Sequence, residues 1–295
     1  MKCSDPFVKN NRPYGCGSCE ACRISKKRVW AHRIMLEAYQ YSDNAFLTLT
    51  YANNDQGDQP WSLCKKDVQD FIKRLREKFP QKIRYYLVGE YGDRTFRPHY
   101  HAALFNFPTC VYLRTRNERI SCCPTCDLVR DVWGFGRIEL ALLENDSASY
   151  VAGYITKKMT SRHDPRLDGR DPEFAIMSLK PGIGFDAMHE VASQILTHNL
   201  VNENSPDVPS GLRHGKKILP LGRYLRRTLR KMSGMNPDAP TQTIEAMDAE
   251  MLPLLIAAKK DKEALTLKRQ LLKKNQGNLA SISARAKIHK SRKTI

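Results

Sequence analysis

The segment RPHYHAALF, 97–105, carries two histidines two residues apart. On an extended strand His99 and His101 point to one face, and Tyr100 turns to the other. So placed, they are either polar residues sharing a sheet face or two ligands gripping one side of a divalent ion. Imidazole is the commonest protein metal ligand, so the second reading has a chemical basis. Glu90 is the natural source of a third ligand. It lies nine residues before His99, on a segment that a hairpin would fold back beside the pair. Two nitrogens and one carboxylate leave coordination positions open for water or a phosphate oxygen, as a catalytic ion requires.

A second constellation follows in SYVAGYITKKM, 149–159. Tyr150 and Tyr154 are four apart and share a helix face. Lys157 and Lys158 follow one turn later. A phenol with an unperturbed pKa of about 10 is a poor nucleophile at neutral pH. A nearby ammonium favours the phenolate, and a lysine can offset charge building on a phosphate. Tyrosine, lysine and a divalent ion together suit attack on a phosphodiester. Taken alone, the motif equally describes two packing tyrosines beside a solvated lysine pair.

Six of the nine cysteines form two knots. Cys16, Cys19 and Cys22 make C-x-x-C-x-x-C, and Cys122, Cys123 and Cys126 make C-C-x-x-C. Cys16 and Cys19 with Cys123 and Cys126 would complete a tetrahedral four-thiolate zinc site. The alternative is reduced thiols in loops. Cys3, Cys64 and Cys110 have no evident role.

The elements that must position these groups can be read from periodicity. Residues 20–41 read as a helix. Residues 44–52 alternate as a strand, with Phe46, Thr48 and Thr50 on one side and Leu47, Leu49 and Tyr51 on the other. Residues 62–79 carry Val68, Phe71, Ile72 and Leu75 at helical spacing, with Ser62 as N-cap and Pro80 as stop. Residues 82–91 and 97–107 read as two strands of a hairpin. A cysteine-rich insertion spans 108–130. A strand follows at 136–143, then a helix at 146–160 opened by Asp146 or Ser147. This order fits an α+β fold, a mainly antiparallel central sheet flanked by helices. Beyond residue 160 the signals weaken, apart from a turn at 179–186 and a basic helix within 214–232. From Lys259 to Lys293 there are twelve Lys or Arg against two acidic residues, which predicts a basic tail, helical or partly disordered. The expected domains are 1–165 for the catalytic fold, 166–235 for an accessory basic region and 236–295 for the tail.

The chain has 295 residues and a formal net charge of +18. A surplus of that size points to a polyanionic partner, most simply nucleic acid. Lys26, Lys27 and Arg28, and the run Arg223, Arg226, Arg227, Arg230 and Lys231, are the candidate phosphate contacts, which supply affinity rather than sequence choice. Apolar runs such as MLPLLIAA at 251–258 are too short to span a bilayer, so no membrane is expected. The first fifteen residues have no apolar signal core, so the expected place is inside a cell. GLRHGKK at 211–217 is one residue short of a phosphate-binding loop and lacks Ser or Thr after the lysine.

Taken together and in this order, the motifs resemble those of the HUH endonuclease superfamily. FLTLTY at 46–51 looks like its first motif strand, RPHYHAALF like its His–hydrophobe–His motif, and YVAGYITKK at 150–158 like its two-tyrosine motif. The tyrosines follow the histidines, as in rolling-circle replication initiators. In plasmid relaxases, a disfavoured alternative, they precede them. CGSCEACRISKKRVWAHRI at 16–34, EFAIMSLKPGIG at 173–184 and VPSGLRHGKKILPLGRY at 208–224 narrow the match. They resemble replication initiation proteins of small single-stranded DNA phages, the gokushovirus branch of the microviruses. The resemblance runs, with gaps, over 14–232.

It implies an RRM-like sheet and a metal-dependent enzyme that nicks and rejoins single-stranded phage origin DNA through a 5′-phosphotyrosine. Glu90, His99 and His101 would hold Mg²⁺ or Mn²⁺, Tyr150 and Tyr154 would be alternating nucleophiles, and Lys157 or Lys158 would assist. A host helicase and DNA polymerase would complete replication in the bacterial cytoplasm. The contrasting expectation, from the cysteines and charge alone, is a zinc-containing nucleic-acid-binding regulator without catalysis.

Overall fold

The structure is a computed structural model that describes residues 2–53, 60–92, 95–112, 122–154, 162–260 and 266–291, without the side chains of Tyr154 and 289–291. In chain order its elements are β1 (Phe7–Lys9), β2 (Arg12–Tyr14), α1 (Glu20–Ala38), β3 (Asn44–Thr50), α2 (Lys65–Lys78), β4 (Arg84–Tyr91), β5 (Pro98–Phe105), α3 (Pro124–Trp133), β6 (Ile138–Leu142), α4 (Asn145–Tyr154), β7 (Phe174–Met177), α5 (Ala187–Thr197), β8 (Gly211–His214), β9 (Lys217–Pro220), α6 (Gly222–Met232), α7 (Thr241–Lys260) and α8 (Leu267–Ser291). The fold is α+β, as the order of strands and helices predicted. By its contacts the chain divides into one unit of 27–191 with 213–221 and another of 1–26, 192–212 and 222–295. This division cuts across the boundaries expected at 165 and 235.

The first unit is built on a five-stranded sheet in the order β6-β3-β5-β4-β7, antiparallel throughout. The predicted hairpin is present. β4 and β5 pair with Tyr91 opposite Pro98 and Glu90 opposite His99. Gly92 N donates to Arg97 O, and Phe96 N to Gly92 O, each at 3.0 Å. The fifth strand comes from 174–177, a segment read only as a family motif. Its four residues are too few to show a period of two.

Side chains alternate across the strands, so the sheet buries two different faces. On one, Leu47, Leu49, Tyr51, Tyr100, Ala102, Leu104 and Leu140 pack beneath Val68, Phe71, Ile72 and Leu75 of α2 and Val129, Val132 and Trp133 of α3. On the other, Tyr86, Val88, Ala103 and Phe105 meet Ile34 and Ala38 of α1 and Ala148, Val151 and Ala152 of α4. The small residues at 148 and 152 keep α4 close to the strands. Glu37 of α1 is fully buried. It accepts from Arg84 Nε of β4 and, at 2.6 Å, from Gly184 N of the turn at 179–186. Arg84 Nη2 donates to Pro181 O at 2.9 Å. Removing one partner of such a pair strands a buried charge, which costs about 3–5 kcal/mol.

Two expected caps are corrected. α2 starts at Lys65 with Cys64 as N-cap, and Cys64 Sγ donates to Asp67 Oδ1 at 3.1 Å. Ser62 instead accepts from Asp171 N at 2.8 Å. α4 starts at Asn145, and Ser147 Oγ caps it by accepting from Glu144 N at 2.7 Å. Part of the cysteine-rich insertion is the helix α3. It ends on Gly134 at φ 68°, a left-handed position that glycine adopts without strain.

The second unit contains the β1–β2 hairpin, turned by Asn10 and Asn11 at positive φ, together with α6, α7 and α8. Arg12 pairs with Asp248 of α7 at 2.6 Å, and Lys268 of α8 pairs with Asp5 at 2.5 Å. The basic C-terminal segment is helical where it is described. No helix among the described residues is long and apolar enough to cross a membrane.

Candidate metal and nucleophile site

Strand register alone puts Glu90 and His99 side by side, because they are directly opposed in the β4–β5 pair. His101 lies two residues along β5 on the same face. Its Nε2 is 3.0 Å from Glu90 Oε1, and both residues are buried. Its Nδ1 is 3.0 Å from Thr48 Oγ1, the residue opposite it on β3. His99 is half-buried, and its Nδ1 is 2.5 Å from Arg97 O. A carbonyl oxygen only accepts, so His99 carries a proton on Nδ1 and, when neutral, a lone pair on Nε2. Burial lowers the His99 pKa and favours that neutral form. Both imidazoles thus have Nδ1 occupied by the protein, and His101 turns Nε2 to a carboxylate. This is how metal-ligating histidines are oriented, by a hydrogen bond to the nitrogen that does not bind. The donor set of two imidazoles and a carboxylate suits a divalent cation.

The rings around His101 form a cage with one open side. Phe46 stacks on it at 5.7 Å and 9°. Tyr150 meets it edge-on at 5.2 Å and 82°. The position of Tyr150 follows from helix geometry. Ala148, Val151 and Ala152 turn to the sheet, which leaves position 150 on the helix flank, 43% exposed beside the imidazole. Tyr154 is the last described residue of α4, one turn on. Lys157 and Lys158 lie outside the described residues.

The basic candidates divide by their partners. Lys26 is exposed. Lys27 is half-buried, and its Nζ lies about one van der Waals contact from where a Cβ on Gly153 of α4 would sit. Arg28 is exposed and donates to Ile218 O at 2.9 Å. Within the second unit, Arg223 and Lys231 are exposed, and Arg227 is exposed and paired with Asp238 at 2.8 Å. Two of the expected phosphate contacts are corrected. Arg230 is buried and held by both oxygens of Asp207, at 2.7 and 2.8 Å. Arg226 binds the same carboxylate at 2.6 Å. These two neutralise an internal aspartate, whose pKa they lower against the effect of burial.

The cysteines also sort differently from the expected mixed set. Cys16 and Cys19 stand with Cys3 and Cys22, and Cys123 and Cys126 stand with Cys110 and Cys122. Each knot is completed by a cysteine that had no evident role in the sequence. Thr48 and Phe46 were missed as well. They sit 53 and 55 residues from His101 in the chain, and only the β3–β5 register makes them its neighbours.

Residues 44–159, which span the whole of this site, match the family model of the replication-associated protein ORF2. The chain is 37% identical over 167 residues to the replication-associated protein VP4 of Bdellovibrio phage phiMH2K, covering 52% of this chain and 51% of that one. It is 32% identical over 155 residues to the replication-associated protein ORF2 of Spiroplasma virus 4, covering 49% and 48%. It is 24% identical over 260 residues to the replication-associated protein ORF4 of Chlamydia phage 1, covering 81% and 59%. The chain thus spans about half the length of the curated relatives it matches most strongly. No solved structure matches it. Through the segment that carries Glu90, His99, His101 and Tyr150, the chain belongs to the phage replication-associated proteins of the ORF2 family.

Proposed function

We propose that this chain initiates rolling-circle replication of a single-stranded DNA phage by nicking and rejoining origin DNA in the host bacterial cytoplasm. One observation carries the reading. A tyrosine on a helix flank lies 5.2 Å, ring to ring, from a histidine whose Nε2 faces a carboxylate at 3.0 Å.

In this reading Glu90, His99 and His101 hold Mg²⁺ or Mn²⁺. Such an ion, when bound, polarises the scissile phosphate and aligns it. Thr48 and the Arg97 carbonyl keep the imidazoles turned, and Phe46 excludes water from one side of His101. Tyr150 Oη attacks phosphorus. A Tyr–O–P bond forms, the P–O3′ bond breaks, the phenol proton passes to solvent, and the released O3′ takes up a proton. The free 3′-hydroxyl then serves a host polymerase, with strand separation left to a host helicase. Tyr154 acts at the end of the round, when it cuts the new junction and a 3′-hydroxyl displaces the first tyrosine. Lys157 or Lys158 offsets charge at the phosphate. Lys26, Lys27, Arg28, Arg223, Arg227 and Lys231 hold backbone phosphates.

The test is a covalent adduct. Full-length protein incubated with origin single strands and Mn²⁺ should give a protein–DNA species that survives denaturing electrophoresis, with the label on a peptide containing Tyr150 or Tyr154. The double variant Tyr150→Phe, Tyr154→Phe should give none. Absence of an adduct with the unmodified chain, or its persistence in the double variant, rejects the reading. Tight DNA binding without an adduct in any metal would favour the non-catalytic regulator.

A further inference from the structure

We infer that the two cysteine clusters are two separate structural zinc sites, one formed by Cys3, Cys16, Cys19 and Cys22 and the other by Cys110, Cys122, Cys123 and Cys126. In each group the four sulfurs all lie within 4.8 Å of one another. A tetrahedral zinc with Zn–S bonds of about 2.3 Å sets its sulfurs about 3.8 Å apart. Cys3 and Cys19 Sγ are 3.8 Å apart, and Cys110 and Cys122 Sγ are 3.7 Å apart. A disulfide needs about 2.0 Å, and none of the nine cysteines, all of them among the described residues, is in one. An iron–sulfur cluster contains several metal atoms and must splay its four thiolates wider than a single ion does.

The two sites share a construction. Cys19 directly precedes α1, and Cys22 lies in its first turn. Cys123 is the N-cap of α3, and Cys126 lies in its first turn. In both, a C-x-x-C pair straddles a helix N-terminus, where the positive end of the peptide dipoles favours thiolate. Each pair is then met by two sulfurs from the chain just before it. In the first site, backbone N–H groups also reach the sulfurs: Cys19 N donates to Cys16 Sγ and Cys16 N to Cys3 Sγ, each at 3.3 Å. Donors of this kind offset the charge of four thiolates.

The sites have a structural task. The first closes the chain between Cys3 and the start of α1, a segment whose only regular structure is a hairpin of two three-residue strands. The second fastens the segment after β5 to α3, whose Val129, Val132 and Trp133 pack on the closed face of the sheet. Cys64 stays outside both, with Asp67 as its partner.

The test reads metal directly and needs no DNA, so it stands or falls apart from the nicking reaction. Full-length protein purified under reducing conditions and passed over chelating resin should carry two zinc ions per chain by plasma mass spectrometry. Cys3→Ser and Cys110→Ser should each reduce this to one, and Cys64→Ser should leave two. Where a variant does not fold, the unmodified chain gives the same answer. Titration with a mercurial should release both zinc ions as eight thiols react, with the ninth, Cys64, releasing none. Substitution by Co²⁺ should give the intense charge-transfer bands of four thiolates. A folded chain that holds no zinc and takes up none overturns the inference. So does iron in place of zinc, or a loss of zinc in Cys64→Ser equal to that in Cys110→Ser.

Discussion

On one face of β5, Tyr100 sits fully buried among Tyr51, Trp133 and Phe174. Its oxygen accepts from Cys64 N at 2.8 Å and lies 2.9 Å from the Tyr51 hydroxyl, which donates to Asp67 at 2.6 Å. On the opposite face, His99 and His101, the neighbours of Tyr100 in sequence, line the edge of an accessible site flanked by Tyr150. The same strand thus supplies a tyrosine sealed into a hydrogen-bonded core and two histidines with a nitrogen turned to a carboxylate or left with a lone pair. The difference lies in what the flanking helices do. α2 and α3 cover the first face with Leu75, Phe71 and Trp133, all buried. α4 lays two alanines on the second and leaves a tyrosine at its flank. Chemistry belongs to the face whose polar groups are held but not saturated.

The strongest way to break this contrast is at His101. In His101→Ala, Glu90 and Thr48 lose the ring they orient. Nicking of origin strands should fall at least a thousandfold, the several kcal/mol expected of a lost metal ligand, while far-ultraviolet circular dichroism stays unchanged. A variant nicking within tenfold of the parent would mean that the open face is not where the reaction occurs. On the closed face, truncation should show the reverse pattern. Leu49→Ala, at a position 1% exposed, should cost about 3 kcal/mol in denaturant unfolding and leave the nicking rate of the folded fraction within a fewfold. A large loss of rate with intact stability would erase the distinction between the faces.

The parts legible in the sequence were those fixed by local period. His99 and His101 share a face because a strand repeats every two residues. Glu90 meets them because a short polar link makes the hairpin. Tyr150 flanks the site because three apolar residues of its own helix turn to the sheet. The illegible parts depend on partners far along the chain. Thr48 and Phe46 reach His101 only through the register of β3 against β5. Cys3 and Cys110 lack the two-residue spacing that marks a knuckle, so each looks solitary until the fold supplies its three partners. Arg230 reads as a surface charge at helical spacing until Asp207, 23 residues earlier, takes both its nitrogens. Charge patterns give the sum and not the pairing, and pairing decides which arginines remain for phosphate.

A finer probe of the open face is Thr48→Val, which keeps the side chain's shape and removes the oxygen 3.0 Å from His101 Nδ1. Groups that orient a ligand without binding the metal are worth about 10–100-fold in metal affinity. The Mn²⁺ concentration for half-maximal nicking should rise by that factor, with the rate at saturating Mn²⁺ nearly recovered. A rate that stays low at every metal concentration would assign Thr48 to the reaction itself rather than to the aim of the ring.

The smallest effect is expected at Tyr100, and it separates the faces by pH. Burial is the main cause that pushes the Tyr100 hydroxyl up to about 12. A raised phenol keeps its proton in the folded chain after the unfolded chain has lost it near pH 10. Between those values the folded state binds more protons, so stability falls as pH rises, by about 1.4 kcal/mol per pH unit for one such group. Below pH 9 the group adds no slope. Tyr100→Phe should therefore cost about 1–2 kcal/mol at neutral pH, through the unpaired Cys64 N–H, and should flatten the fall in stability between pH 10 and 12. Nicking at pH 8 should not change, because this hydroxyl faces away from the histidines that flank it. A neutral-pH loss of nicking in Tyr100→Phe with the alkaline slope intact would show that the two faces of β5 are coupled. The sealed face would then be part of the site rather than its support.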